Sequence, residues 1–140
     1  MKLVLILLLA TITCAFKVKI HSEAQTLAER IARRVESAIA TKNRALVAAQ
    51  FHRDFHYQGC HGQHARLPEL LESYSKFPEE HEYEVRVIYA KRIGHKSIKY
   101  SVSKTYDSHA ASYEYIATRH HGRYVLEKAT RTDCHIRGFD

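Results

Sequence analysis

Apolar residues recur at helical spacing through Ala24, Leu27, Ala28, Ile31, Val35, Ala38 and Ile39, which predicts one long amphipathic helix from about Glu23 to Ala40. Ser22 followed by Gln25 has the form of a capping box at the start of that run. The opposite face, with Glu29, Arg30, Arg33, Arg34 and Glu36, reads as solvated charge. A second, shorter helical pattern runs from Ala45 through Leu46, Val47, Ala48 and Ala49 to Phe51. Phe55-His56-Tyr57-Gln58 then alternates into a glycine turn at Gly59-Cys60, with Gly62 beyond, and predicts a first strand. Leu67-Pro68-Glu69 opens a third helix with proline at its first position. Leu70, Leu71 and Tyr74 form its apolar side, and Phe77-Pro78 stops it.

From there the period changes to two. Tyr83, Val85, Val87 and Tyr89 alternate with Glu82, Glu84 and Arg86, and Ile98, Tyr100 and Val102 alternate with Lys99, Ser101 and Ser103. Tyr113 and Tyr115 flank Glu114, and a fourth run extends from Arg123 to about Cys134. Turns at Ile93-Gly94-His95, Asp107-Ser108-His109 and His121-Gly122 give spacings that fit an antiparallel meander. Helices first and strands last is an α+β order: N-terminal helices packed on one face of a curved antiparallel sheet.

The first fifteen residues follow a different pattern. Lys2 leads into an unbroken apolar run from Leu3 to Ala10, followed by Thr11-Ile12-Thr13 and Cys14-Ala15, the layout of a cleavable secretory signal. The run is shorter than the roughly 20 residues a spanning helix needs. Residues 1–15 are therefore expected to be a signal peptide cut after Ala15, with 16–140 as one domain, secreted and extracellular, and no membrane attachment after cleavage. An uncleaved anchor is the alternative. The 125 residues of the 140 that remain suffice for one core and are too few for two. The formal charge of +7 comes from cations scattered among glutamates, with no long basic run, so no nucleic-acid face is expected.

Cys60 and Cys134 are the cysteines left after cleavage, and in an oxidising compartment they allow one bridge. Closing a loop of about 75 residues would be worth about 4 kcal/mol in the chain-entropy account, before native strain subtracts. A catalytic thiol is the competing reading.

The order helix, helix, short strand, helix and four strands resembles the cone-shaped fold of the nuclear transport factor 2-like superfamily, also described as cystatin-like. The most specific stretch runs from Ala45-Leu46-Val47-Ala48-Ala49-Gln50-Phe51 through His52-Arg53-Asp54-Phe55 to His56-Tyr57-Gln58-Gly59-Cys60. It is similar to that family's second helix, its Asp-Phe break and its first strand. The chain most closely resembles a small secreted, uncharacterised branch in which a cysteine after the first strand and one near the C-terminus recur. Cystatins proper differ, since no Gln-x-Val-x-Gly loop occurs here. The resemblance implies a concave sheet whose mouth holds a ligand; in different members that cavity serves binding, isomerisation, dehydration or dimerisation. Enzymatic members place a buried Asp or His in the cone, and no such motif carries over residue by residue onto this chain.

Candidate chemistry is sparse. His52, His56, His61 and His64 cluster in sequence, and two imidazoles four apart ligate zinc when they share a helical face. The Asp54-Phe55 break denies them that face, and no third ligand completes a set, so no metal and no cofactor are expected. His120-His121 beside Gly122 reads as a turn. Asp54, His56 and Asp107 have the chemistry of a general base. Tyr57, Tyr83, Tyr89, Tyr100, Tyr113, Tyr115 and Tyr124 all fall on predicted strands. Their plain role is sheet core, but phenols gathered on a concave face would also make an amphipathic pocket lining. Tyr57, Tyr83, Tyr100, Tyr113 and Tyr115 are the candidates for it.

The function that follows is a non-enzymatic domain binding a small ligand or a protein partner, a second copy of the chain included, in or around the cone. The alternative is a small isomerase, dehydratase or hydrolase with an Asp or His base there. Protein recovered from the medium of expressing cells is expected to have the intact mass of a chain that begins at Phe16. Material that begins at Met1 would overturn the signal reading.

Overall fold

Helix α1 (residues 23–40) lies where the apolar period places it, in a computed structural model that describes residues 23–76, 83–106 and 109–134. The segment read as a signal, Ser22, Phe77-Pro78 and Asp107-Ser108 fall outside the described residues. Along α1, Ala24, Ala28 and Ala32 form a row of small buried residues beside Ile31 and Val35. Residues four apart share a helix face, and the absence of bulk on this row lets the helix lie close against the sheet. Gln25 donates to the Val87 carbonyl at 3.2 Å and to Glu29 at 3.1 Å, so its amide ties α1 to a strand. Thr41 and Lys42 donate backbone N–H bonds to Ala38 and Ile39 and end the helix.

Helix α2 (Arg44–Ala48) starts from Asn43, whose side chain accepts from the Ala45 and Leu46 amides at 3.0 and 3.2 Å. It is shorter than the periodicity predicts, because Phe51 belongs to strand β1 (Phe51–Gln58) and pairs with Leu126. Phe51 and Phe55, four apart on the strand, share its buried face. A register shift between Phe51 and His56 interrupts the pairing of the strand with Leu126 and Lys128. A short strand that the sequence does not announce, β2 (His64–Arg66), pairs antiparallel with β1 through a tight turn over Cys60–Gly62. Helix α3 (Leu67–Ser75) begins with Pro68 in its first turn and with Glu69 accepting from the Arg66 amide at 2.9 Å.

Strands β3 (Tyr83–Arg92), β4 (Ser97–Tyr106), β5 (His109–His120) and β6 (Arg123–Arg131) form the expected meander. β5 and β6 join through His121 and Gly122, with φ of 48° and 78°, the two positive angles of the hairpin turn whose twist suits antiparallel strands.

The sheet order is β2-β1-β6-β5-β4-β3, and β1 runs parallel to β6. The sheet is thus mixed rather than wholly antiparallel: β1 reaches β6 by a crossover through β2, α3 and the meander, which leaves the two strands pointing the same way. Register shifts at Val87/Tyr89 and Ile116/Ala117 curve it. Ile98, Tyr100, Val102, Ala117, Leu126 and Ala129 fill the concave side against α1, each 3% exposed or less. No helix among the described residues is long and apolar enough to cross a membrane.

Because β1 and β6 are parallel neighbours, they leave the sheet at the same end, and this brings Cys60 to Cys134 with Cα atoms 5.4 Å apart in a disulfide. Replacing both cysteines by alanine is expected to lower unfolding free energy by up to about 4 kcal/mol in denaturant melts. Both thiols should resist alkylation until the chain is unfolded and reduced; rapid labelling of native protein would refute the linkage.

Candidate functional site

Strand register sorts the tyrosines. Tyr100 faces Tyr115 across β4 and β5, Tyr115 faces Ala129 across β5 and β6, and Ala129 faces Tyr57 across β6 and β1. Tyr113, two residues along, shares that face, with Val102 and Arg131 as its partners. Four of the five expected pocket residues, Tyr57, Tyr100, Tyr113 and Tyr115, are therefore brought together on the face that α1 covers. The rings of Tyr100 and Tyr115 lie 5.4 Å apart, and those of Tyr113 and Tyr115 6.3 Å apart. The backbone of Tyr83 pairs with Tyr106 on the edge strand, and its side chain lies outside the described parts. Tyr89 falls on the opposite face, opposite Ser101.

Exposure separates one buried tyrosine from three half-buried ones. Tyr100 is buried, whereas Tyr57, Tyr113 and Tyr115 are half-buried around it. Burial, then Tyr115 and Glu36, push the Tyr100 phenol well above its ordinary value against the pull of Arg34. Burial and then Tyr113 raise Tyr57, with Arg131 opposing and Asp133 adding a little. Both phenols therefore remain protonated at neutral pH.

Two ion pairs edge this face. Lys104 Nζ meets Glu36 Oε1 at 2.9 Å, linking β4 to α1, and lies 5.9 Å from the Tyr113 ring centre. Arg131 Nε donates to Asp133 Oδ1 at 2.7 Å and its Nη2 to Oδ2 at 3.4 Å. The Arg131 hydrogen bond holds the Asp133 carboxyl below the usual range, with burial opposing. Arg131 and Asp133 were not anticipated from the sequence; the available signal was an Arg-x-Asp directly before Cys134. A carboxylate gripped on both oxygens is a weak proton acceptor, which disfavours Asp133 as a general base at neutral pH.

The bases nominated from the sequence do not join this face. Asp54 is exposed, 3.6 Å from Arg53 and 3.8 Å from His52. His56 points to the convex face, where it meets His64, and Asp107 lies outside the described residues. His61 sits in the turn after β1, and His52 in β1 itself. On that convex face a polar chain runs from Ser97 through Thr118 at 2.8 Å to Glu127 at 2.9 Å, and His120 meets Glu127 at 3.0 Å. The His52 ring lies 4.8 Å from that of His120. Burial raises the Glu127 carboxyl, but the His120 and Thr118 hydrogen bonds and the two imidazoles outweigh it and leave the group below the usual range. Glu127 separates the hydroxyls from the imidazole, so the chain lacks the nucleophile–base contact of a hydrolytic triad. Among the described residues no three His, Cys, Asp or Glu side chains are grouped to hold a metal ion.

At the other end of the core Arg34 turns inward rather than to solvent. It donates to Gln50 at 2.9 Å and to the Tyr124 carbonyl, and Arg123 donates to the same Gln50 oxygen at 3.1 Å. This cluster pins α1 to β6.

The Arg131 pair makes stability acid-sensitive with a definite sign. The folded-state value of Asp133 is depressed, so its contribution is fully present above the unfolded-state value, about 3.9, and is lost as pH falls through the lower folded value. Asp133→Asn should therefore lose less melting temperature than the parent between pH 5 and pH 2, and equal losses would contradict the assignment.

Compared with known proteins, residues 25–136 match the family model described as an NTF2-like domain. An NTF2-like protein from Cytophaga hutchinsonii superposes with a TM-score of 0.60 and 15% identity, over 76% of this chain and 95% of that one. A domain of unknown function with a cystatin-like fold from Nostoc punctiforme gives 0.62 and 13%, over 79% and 76%. The association domain of CaMKII from C. elegans gives 0.66 and 11%, over 80% and 97%. No curated protein matches the chain in sequence. At these identities the structural likeness speaks for the fold alone.

Proposed function

Since the chain belongs to the NTF2-like domain family, we propose that it acts as a secreted, non-enzymatic domain that holds a small ligand or a protein partner at the concave mouth of its sheet. The observation that carries this reading is the half-buried trio Tyr57, Tyr113 and Tyr115 set around the buried Tyr100. Phenols combine large apolar area with a polar tip, the composition of a lining that orients an amphipathic ligand. The Arg131–Asp133 and Lys104–Glu36 pairs add polar groups at the same edge. Likeness to a domain named for association supports the protein-partner form, a second copy of this chain included. Secretion is supported by the disulfide and by the signal-like layout of residues 1–15. The enzymatic alternative is disfavoured by the grip of Arg131 on Asp133.

The test is an NMR screen of small aromatic acids and alcohols against protein carrying labelled tyrosines. Hits are expected to shift Tyr57, Tyr113 and Tyr115 together, and Tyr113→Ala should weaken them by up to about tenfold, the upper end of the ~0.5–1.5 kcal/mol of one aromatic contact. Ligands that perturb only other regions, or affinities unchanged in the variant, would remove the basis of this reading.

A further inference from the structure

The convex face carries a feature that the tyrosine site does not use. His56 of β1 and His64 of β2 point their Nε2 and Nδ1 atoms at each other at 3.3 Å, with ring centres 5.1 Å apart and planes inclined by 28°. Two nitrogens bound at about 2.0–2.1 Å to a tetrahedral cation stand about 3.3–3.4 Å apart, with the ring centres behind them about 5.2 Å apart. An in-line N–H···N bond of the observed length would instead separate the ring centres by about 5.6 Å. The observed separations fit both a hydrogen bond bent off line and the spacing of two ligands on one cation. We infer that His56 and His64 form a two-imidazole site for a divalent transition metal, with water in the remaining positions.

The hairpin that carries the pair is held in advance. His56 pairs with Arg66, Tyr57 with Ala65 and Gln58 with His64. The turn between the strands is closed by Gly59 N–H to Gln63 O at 2.8 Å and by Gln63 N–H to Cys60 O at 3.2 Å. The disulfide anchors that turn to the end of β6. Little ordering remains for the metal to impose, which favours binding. The charges nearby decide which metal. Arg66 and Lys128 are the register partners of His56 on either side, and they repel a dication. Only a metal with strong bonds to imidazole nitrogen overcomes that repulsion, which selects Cu2+ and Zn2+ over Mg2+ and Ca2+, the oxygen-seeking ions.

The protein with its disulfide intact is titrated with ZnCl2 and, separately, CuCl2, following histidine side-chain resonances and heat. The expected result is saturable binding at one metal per chain, with the His56 and His64 signals shifting together. It should be lost in both His56→Ala and His64→Ala, retained in His52→Ala, and absent with CaCl2 or MgCl2. Both substitutions fall on solvent-facing positions, and circular dichroism checks that the fold persists. Absence of saturable Zn2+ and Cu2+ binding, survival of binding in His64→Ala, or shifts centred on His52 and His120 would each overturn the site. Because the pair lies on the face opposite the tyrosines, failure here leaves the ligand reading of the concave mouth unaffected.

Discussion

The parallel pairing of β1 with β6 is the constraint on which the rest of the structure depends. It joins a strand near the start of the domain to the last one, across most of the described chain, and it is the sheet's sole parallel pair among the described strands. Without it Tyr57 would not stand beside Ala129 in the row that runs on to Tyr115 and Tyr100. Cys60 and Cys134 would have no reason to meet. The Gln50 carbonyl, which accepts from Leu126 at 2.9 Å, would lose its partner just where α2 gives way to β1. A contact between such distant segments is entropically expensive to close, and the disulfide at the same end offsets part of that cost by restricting the unfolded chain.

Strand alternation then assigns chemistry to two faces. On β1, Tyr57 is turned to the core and His56 away from it, and neighbours one residue apart cannot exchange faces without a slip in register. Phenols and aliphatic residues therefore gather on the concave side, while histidines, hydroxyls and Glu127 gather on the convex side. The bulge at Ile116/Ala117 opposes β6 beside Glu127 and helps explain how that carboxylate reaches both Thr118 and His120. The same local departure from alternation that curves the sheet also builds its outer polar network.

What the sequence made legible follows from which signals are local. The period of α1 is carried within its own residues, and so is the alternation of β3 and β4, so both elements appear where the pattern puts them. Phe51 misled because it closes the helical run from Ala45, whereas it opens a strand whose partner, Leu126, is distant in sequence; Phe55 lies on the strand where its alternation places it. β2 was illegible because His64-Ala65-Arg66 is too short to show a period. The parallel direction of β1 was illegible because alternation says nothing about which strand lies alongside. Tyr57, Tyr100, Tyr113 and Tyr115 were readable as strand residues since each sits on an alternating run, and their shared face needed the register. Arg131–Asp133 and His56–His64 were not, because one pair depends on where β6 ends and the other on a turn of unpredictable length.

Whether the concave side binds or catalyses turns on a balance that the geometry expresses directly. Catalysis by proton abstraction calls for a base whose proton affinity is raised towards neutrality by burial or by a like charge. The carboxylate closest in kind, Asp133, experiences the reverse: Arg131 approaches both its oxygens, and its proton affinity falls. On the same side the phenols of Tyr57 and Tyr100 are pushed towards their neutral form. A face whose acid is held ionised and whose phenols are held protonated presents fixed dipoles and fixed charges. That is an electrostatic condition suited to recognising a ligand, and it leaves Asp133, Tyr57 and Tyr100 poorly placed to exchange a proton with one.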